Sequence, residues 1–546
     1  MRDPFPSLAR LLLACAALAA AVGCNRGPGI HYRPTRPEAR AALIYEANLH
    51  QGPETLRGYL ADFPKGADLH VHLSGAVYAE TFIRDAGQDG LCVDPAALSF
   101  AQPPCKGKLI PAKDLSGDMS TADQAIYDKL IDSFSMRSYI PLSEWSGHDQ
   151  FFATFAKFSG LSKDHIGEWV DEIAARAAAQ NQQYLELMET PAFGHAAQVG
   201  RAIGWSDRLA QADPQAFAQL RQQLLDRGLR DEVAADRDDV RQAEARRKQL
   251  ERCGTAQAAP ACGVEIRYIY QVLRGFPHEQ VFAQTLLGFE TVQASMDAQD
   301  DTWVGINFVM PEDGYISMRD YTLQMKMLDY LHSVYPRVHI TLHAGELAEG
   351  LVPPEGLRFH IRQAVELGHA ERIGHGVDLM HEDNARGLLQ ELAQKHIMIE
   401  VNLSSNQGIL GVEGDEHPFP VYRSAHVPVA LSTDDEGVSR IDLTHEYVRA
   451  AIDYSLTYLD LKQMARTGME HNFLPGVSLW ARPDDFRTPV SACQGQPLGG
   501  GNPSPDCKAF LDGSQKAAAQ WELERRFTAF EAKFQGPAFD RMLHGQ

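Results

Sequence analysis

The sequence lacks several features that mark particular classes of protein. After residue 24 it has no apolar run long enough to cross a bilayer, and it has no internal repeat at the spacing of solenoid proteins. Positive charge is scarce, because 51 Lys and Arg residues stand against 72 Asp and Glu residues, a formal net charge of −21. Electrostatic binding to nucleic acid or to an anionic membrane surface is therefore not expected.

Cysteine is also scarce, and its eight positions include neither a CxxC nor a zinc-ribbon spacing. The cysteines are therefore poor candidates for metal ligands. Apart from Cys15 and Cys24 they form three local pairs in Gly/Pro-rich stretches: Cys92 with Cys105, Cys253 with Cys262, and Cys493 with Cys507. We expect these pairs to close small disulfide loops in an oxidising compartment, and the alternative is six free thiols.

The first 23 residues have the form of an export signal. Arg2 and Arg10 precede the apolar run 11–22, which is too short to span a membrane. The run leads into AVGC at 21–24, which resembles a bacterial lipobox with Cys24 as the acylated residue. We expect an exported protein of the periplasm or cell envelope, held to the membrane only by this lipid anchor. Because Ala21 replaces the usual Leu, ordinary signal cleavage is the alternative.

Short apolar, β-branched runs alternate with helical patterns through most of the chain. Eight of these runs are candidate strands: 67–73, 183–188, 264–273, 303–309, 338–343, 372–377, 397–403 and 427–432. Eight strand–helix units predict an α/β fold of the parallel (β/α)₈ TIM-barrel type. We place the barrel at 64–475, with helical insertions near 85–160 and 205–262.

The segments outside the barrel are predicted to be extensions. We expect a tether and a helical N-terminal extension over 24–63, and an irregular and helical extension over 476–546 with a last helix near 517–534. Within the second insertion, residues 205–252 are highly charged. We expect a solvated helical hairpin there, and a partner-binding arm is the alternative.

Polar residues stand at the carboxyl ends of four of the predicted strands. In chain order they are His70 and His72, His343 and Glu346, His375, and Asp434 and Asp435. Alternate residues of a strand point to the same side, so His70 and His72 can face one metal. The carboxyl ends of barrel strands converge on one mouth, where such barrels keep their active sites. Three histidines and one aspartate there would give an N₃O zinc site with room for a water molecule.

Four motifs resemble the signatures of the adenosine deaminase family, and they occur in the family's order. They are 64–75 (PKGADLHVHLSG), 342–346 (LHAGE), 372–376 (RIGHG) and 431–435 (LSTDD). The resemblance covers roughly 60–475 and is closest to the secreted, growth-factor-related branch of the family. The HxE…PCxxC signature of the cytidine deaminase design is absent.

The resemblance implies one zinc ion per chain and hydrolytic deamination of adenosine and 2′-deoxyadenosine to the inosine form plus ammonia. The implied zinc ligands are His70, His72, His343 and Asp434. Glu346 would deliver a proton to purine N1, and His375 would orient the attacking water and help to accept its proton. Asp435 would hydrogen-bond N7. The partner would be a small purine nucleoside, and the sequence leaves the oligomeric state open.

Two substrate-contact positions depart from the family pattern. Ser74 stands where an Asp commonly contacts the ribose, and Met310 stands where a Gly presents its backbone amide to the purine. The alternatives are therefore a deaminase of adenine or of an N6-substituted or modified purine nucleoside. An alternative of another class is an inactive purine-binding barrel of the envelope.

Overall fold

The structure, a computed structural model, describes residues 35–117, 119–142 and 144–535. Its centre is a parallel sheet of eight strands whose spatial order follows their order in the chain. The strands are β1 (Gly66–His72), β2 (Gln182–Glu189), β3 (Glu265–Leu273), β4 (Trp303–Val309), β5 (His339–Ala344), β6 (Arg372–His375), β7 (Met398–Val401) and β8 (Val429–Leu431). All eight predicted strands are present.

The sheet closes into a barrel because its first strand meets the segment after its last. Val71 forms a parallel bridge with Asp434, and the N–H of Asp434 donates to the carbonyl of His70 over 2.8 Å. The predicted (β/α)₈ class is confirmed. The last three strands are shorter than predicted. At the mouth the backbone takes left-handed φ values, +69° at His375 at the end of β6 and +60° at Asp434 after β8.

Helices cover the barrel and fill the segments before, between and after its strands. In chain order the α-helices are α1 (Arg36–Gln51), α2 (Pro53–Ala61), α3 (Leu73–Ala76), α4 (Ala79–Gln88), α5 (Thr121–Ser133), α6 (Gly147–Lys157), α7 (Ile166–Ala179), α8 (Gly194–Ile203), α9 (Asp207–Ala210), α10 (Pro214–Asp226), α11 (Arg230–Leu250), α12 (His278–Ala298), α13 (Tyr315–Val334), α14 (His360–Glu366), α15 (Ala385–Lys395), α16 (Leu403–Leu410), α17 (Phe419–Ser424), α18 (Glu436–Ser439), α19 (Leu443–Asp453), α20 (Tyr458–Glu470), α21 (Pro505–Asp512) and α22 (Gln515–Ala532). Short 3₁₀ helices span Ala112–Leu115, Lys163–His165, Pro260–Gly263, Pro354–Leu357, Val377–His381, Gly414–Glu416 and Ser491–Cys493.

The insertion after β1 contains a small antiparallel sheet that the sequence did not predict. Its strands are Cys92–Asp94, Ser99–Ala101 and Ile110–Pro111. Strands of two or three residues carry too little alternation to be recognised from a sequence. The same insertion supplies α6, which brings the rings of Phe151, Phe152 and Phe155 to the mouth of the barrel.

The charged stretch after β2 is helical, as expected, and it packs against the barrel. Phe217 of α10 stacks on Phe282 of α12, with ring centroids 5.4 Å apart and planes 10° apart. Arg230 of α11 makes two hydrogen bonds to the carboxylate of Glu290. One face of this hairpin is therefore buried and includes the charged residues Asp236 and Arg247, whereas other charged residues, such as Asp231 and Asp238, lie on the opposite, solvated face.

The two ends of the described chain pack together. Tyr59 of α2 lies 5.3 Å, between ring centroids, from Phe530 of α22. Phe63 contacts Phe527 and Phe530 of α22 edge-on. The N-terminal helices and the last helix therefore share one aromatic cluster, whereas the domain boundaries given above stay a prediction.

All three predicted disulfides are present: Cys92–Cys105, Cys253–Cys262 and Cys493–Cys507. Over the described ranges, no helix combines the length and the apolar character needed to cross a bilayer. The predicted export signal and Cys24 lie outside the described residues.

Candidate active site

The four proposed metal ligands meet at the carboxyl ends of the barrel strands. His70 and His72 belong to β1, His343 belongs to β5, and Asp434 follows β8. Nε2 of His343 lies 3.1 Å from Nε2 of His70 and 3.2 Å from Nε2 of His72. Oδ1 of Asp434 lies 3.1 Å from Nε2 of His72 and 3.6 Å from Nε2 of His70. All four side chains are buried.

The outer nitrogen of each of these histidines faces an acceptor oxygen, which fixes the tautomer. The contacts are Nδ1 of His70 to Oε2 of Glu400 at 2.6 Å, Nδ1 of His72 to Oε1 of Gln271 at 2.5 Å, and Nδ1 of His343 to Oδ1 of Asn307 at 2.9 Å. Each Nδ1 therefore carries the hydrogen, and each Nε2 turns a lone pair toward the others.

Lone pairs and a carboxylate crowded together repel one another unless a cation lies between them. Zinc bonds of about 2.0–2.1 Å place tetrahedral ligand atoms about 3.3 Å apart. The nitrogen separations of 3.1 Å and 3.2 Å are close to that spacing. The donor set therefore fits a divalent metal with three nitrogen ligands and one oxygen ligand.

Glu400 links this cluster to a buried ion network. Its Oε1 lies 2.6 Å from Nε of Arg372, whose Nη2 lies 2.6 Å from Glu186. Burial would raise the pKa of Glu400, but the charge of Arg372 and the hydrogen bond from His70 bring it down to about 2. Glu400 is therefore an anion at neutral pH, and it holds the imidazole of His70 in orientation.

His375 lies beside the cluster in a tautomer set by a chain of hydrogen bonds. Nε2 of His417 donates to Oδ1 of Asn406, and Nδ2 of Asn406 donates to Nδ1 of His375 over 2.9 Å. The hydrogen of His375 is therefore on Nε2, which lies 3.8 Å from Oδ2 of Asp434. Burial lowers the pKa of His375 to about 4, so its ring is neutral at pH 7.

Two glycines of the family-like motifs make room for the site. A Cβ on Gly75 would lie 1.4 Å from Oδ1 of Asp435, and a Cβ on Gly374 would lie 2.5 Å from Cε1 of His70. Neither side chain could keep its place if these residues were alanine.

Glu346 lies in a cavity of about 490 Å³ that opens beside the four proposed metal ligands, which we call the metal cluster. The cavity is lined by His72, Ser74, Phe151, Phe152, Phe155, Ala156, Thr190, Gln271, Leu273, Val309, Met310, Pro311, His343, Glu346, Asp434 and Asp435. Burial raises the pKa of Glu346 well above its ordinary value, and the negative charges of Asp434 and Glu312 add to this effect. Glu346 therefore keeps its proton to a higher pH than an ordinary glutamate and can donate a hydrogen.

Asp435 is a second buried acid in the same cavity. Burial raises its pKa to about 8, although the nearby His72 acts in the opposite direction. Its Oδ1 has no hydrogen-bond partner among the described residues. A protonated, unpartnered carboxyl group suits a ligand atom that accepts a hydrogen bond.

With this geometry in place, we compared the chain with known proteins. The family model described as adenosine deaminase matches residues 244–478. This match covers less than half of the chain, so it shows that residues 244–478 are similar to the adenosine deaminase family. The adenosine deaminase of Escherichia coli (strain SMS-3-5) is 39% identical to this chain over 137 residues, which are 25% of this chain and 38% of that protein. The adenosine deaminase of Clostridium perfringens is 33% identical over 135 residues, which are 24% of this chain and 37% of that protein.

The matches to these two adenosine deaminases thus span less than two fifths of their length. An amidohydrolase from Burkholderia ambifaria, whose crystal structure contains bound Zn, has a TM-score of 0.50 at 17% identity. That likeness covers 87% of this chain and 95% of the other, and it supports the barrel fold alone. The adenosine deaminase family model does not reach His70 and His72, which the barrel brings against His343.

The two departures from the adenosine deaminase pattern both line the cavity. Ser74 offers a hydroxyl where the family commonly has a carboxylate. Met310 has φ of +89°, a conformation that favours glycine and costs other residues about 1–3 kcal/mol. Its side chain extends over Gly275, where a Cβ would lie 2.8 Å from Cε of Met310. The absence of a side chain at Gly275 accommodates the methionine.

The residues that orient the site were not predicted from the sequence. These are Glu400, Gln271 and Asn307, which hold the three ligand histidines, and Asn406, which holds His375. Each comes from a different strand or helix than its partner. A single-residue signal does exist for Glu400 and Asn307, since both are polar residues within apolar strands.

Proposed function

We propose that the protein is a metal-dependent deaminase of purine nucleosides that converts adenosine or 2′-deoxyadenosine to the inosine form and ammonia. The observation that carries this proposal is the placement of Glu346 and Asp435, two carboxyl groups whose pKa is raised by burial, in one cavity with the N₃O cluster. Adenine has two ring nitrogens, N1 and N7, that flank the reacting C6 edge and accept hydrogen bonds. Two acid donors suit those two acceptors.

The ligand set His70, His72, His343 and Asp434 would hold the metal, which we propose to be zinc because three histidines and one carboxylate suit it. The bound metal supplies the Lewis acidity that makes water nucleophilic at neutral pH. We assign proton donation and the hydrogen bonding of the substrate to side chains of this protein. Glu346 donates a proton to N1 as C6 is attacked, and Asp435 donates a hydrogen bond to N7.

His375 has a narrower role in this proposal than the sequence predicted. Its Nε2 carries the hydrogen, because Nδ1 accepts from Asn406. A neutral N–H donor suits the orientation of a water oxygen. Taking up a proton at Nε2 would require that this nitrogen first lose its hydrogen, so we assign His375 the orienting role only.

The lining of the cavity supports an uncharged nucleoside as the substrate. Neither Lys nor Arg belongs to the described residues that line it, whereas Glu346, Asp434 and Asp435 do. A phosphate group would be desolvated there without a cationic partner, and an unpaired buried charge costs about 3–5 kcal/mol. Ser74 and Thr190 offer hydroxyls that can bond the sugar.

We therefore predict that AMP is a poor substrate. Metal-loaded protein should turn over adenosine with kcat/KM at least about 100-fold above that for AMP, which corresponds to the lower end of that desolvation cost. The measurement is the fall of the adenosine ultraviolet band across a panel of adenosine, 2′-deoxyadenosine, adenine, AMP and N6-methyladenosine. Equal turnover of AMP would contradict the assigned substrate class. A lack of turnover of every aminopurine would favour the inactive purine-binding barrel instead.

We further propose that the enzyme works in the periplasm or cell envelope as a lipoprotein anchored through Cys24. The three disulfides support an oxidising compartment. Radiolabelled palmitate incorporation in wild-type protein and in a Cys24→Ala variant tests the anchor. Equal labelling of the two would exclude Cys24 as the acylated residue.

A further inference from the structure

Glu312 is a buried acid that neither the metal cluster nor the substrate cavity contains. It follows β4 in the loop that also carries Met310, and its side chain is inaccessible to solvent. Its two carboxylate oxygens accept hydrogen bonds from consecutive backbone N–H groups, Gly345 at 3.0 Å and Glu346 at 2.7 Å. One carboxylate therefore holds the turn that presents Glu346.

The charge of Glu312 is maintained by its surroundings. Burial would raise its pKa, but the hydrogen bond from Nδ1 of His360, at 2.5 Å, and the nearby charge of Arg274 lower it. The ring of His360 is itself fixed, because it stacks on Tyr321 with centroids 3.8 Å apart. Glu312 is thus an anion that can accept from both backbone groups at once.

The strands on either side of this contact are not joined by a ladder near the mouth. β4 and β5 pair only at Gly305 with His339 and at Ile306 with Ile340, toward the opposite end of the barrel. Closer to the mouth, side chains make the connection. Arg274 donates to the carbonyls of Phe308 and His343, and Glu312 makes the outermost connection, to the turn at 345–346.

The carboxylate of Glu346 depends on that connection for its position. In the part of the chain that the structure describes, it makes no hydrogen bond to another residue, and its Oε1 lies 3.7 Å from Nδ1 of His375. Its placement is therefore set by its backbone. A shift of the turn by 1 Å would move the proton donor by a similar distance, and such misplacement can cost about 10²-fold in rate.

We propose that Glu312 is a positioning residue that holds Glu346 at the substrate by binding the backbone of the turn at 345–346. This inference rests on the proposed proton-donor role of Glu346. It predicts a kinetic effect that operates through Glu346 and leaves the metal cluster and the substrate-binding cavity intact.

The test is Glu312→Gln, which keeps the shape of the side chain but turns an amide NH₂ toward one of the two backbone donors. We expect kcat to fall about 10²-fold, with KM changed by less than about threefold and metal content unchanged. The matched control is Glu382→Gln, because Glu382 is also buried and also accepts from two backbone N–H groups, those of Ile361 and Arg362. The control should keep kcat within about threefold.

Repeating the substitution in the Glu346→Gln variant distinguishes a positioning role of Glu312 from general damage to the fold. In Glu346→Gln protein, the added Glu312→Gln change should lower the residual turnover by less than about threefold, because the group it positions is already gone. Glu312→Asp, which keeps the charge on a shorter side chain, should give an intermediate loss and serves if the glutamine variant does not fold. Equal effects of the Glu312 and Glu382 variants, or loss of metal with Glu312→Gln, would overturn the inference. Wild-type turnover by Glu346→Gln would instead overturn the proposed function.

Discussion

Glu346→Gln is expected to lower kcat for adenosine by about 10³-fold while leaving the metal in place. Glutamine fills the same space and can still donate a hydrogen bond, but it cannot release a proton to N1 at neutral pH. The buried Glu346 can, since its pKa is raised well above the ordinary value. The steady-state rate of the purified variant tests the predicted fall in kcat, and its metal content tests the predicted retention of the metal.

Glu349→Gln is the matched control for this substitution. Glu349 lies in the same loop, three residues later, with a side chain that is 80% exposed. It should keep wild-type kcat and metal content. If Glu346→Gln also kept a rate near that of the wild type, Glu346 would not be the proton donor, and the reaction class would have to be reconsidered.

His343→Ala is expected to lose the metal and, with it, turnover. Nε2 of His343 lies within 3.2 Å of Nε2 of both other ligand histidines, so its removal opens one side of the cluster. Loss of a group that only orients a ligand costs about 10–100-fold in metal affinity, and loss of the ligand itself should exceed that range. Metal per chain after dialysis against a weak chelator is the measurement.

His339→Ala provides the comparison from the same strand. His339 is at the opposite end of β5, 37% exposed, where it pairs with Glu371. This variant should keep one metal ion per chain and wild-type turnover. Unchanged metal stoichiometry in His343→Ala would show that His343 is not a ligand.

The barrel could be predicted because its strands are the most regular signal in the sequence. Runs such as Trp303–Val309 are buried along their whole length, so they appear as predominantly apolar stretches, here interrupted by Asn307. Their carboxyl ends were harder to place. At His375 and Asp434 the backbone adopts left-handed φ values, which present the side chains to the site. The strand propensity of the local sequence favours a longer strand instead, so these ends could not be predicted.

The ligand histidines could be predicted, whereas the residues that orient them could not. His70 and Glu400 are 330 positions apart, and His72 and Gln271 are 199 positions apart. These hydrogen-bonded contacts form only when the barrel has folded and its strands lie side by side. Glu312 is a similar case, because its partners are backbone N–H groups that carry no sequence signal.

Met310 illustrates what a motif comparison alone leaves unexplained. Met310 departs from the glycine of the family pattern, and the structure places its side chain over Gly275, a position without a side chain. The two residues are 35 positions apart in the sequence and lie just after the neighbouring strands β3 and β4, so the accommodation was not visible in either motif.

Ammonia release from adenosine measures the proposed hydrolytic deamination of a purine nucleoside directly. Metal-loaded wild-type protein should release ammonia and inosine in equal amounts, and protein stripped of metal should release neither until metal is restored. Metal-loaded, folded protein that releases no ammonia from adenosine, 2′-deoxyadenosine or any other aminopurine would contradict the account.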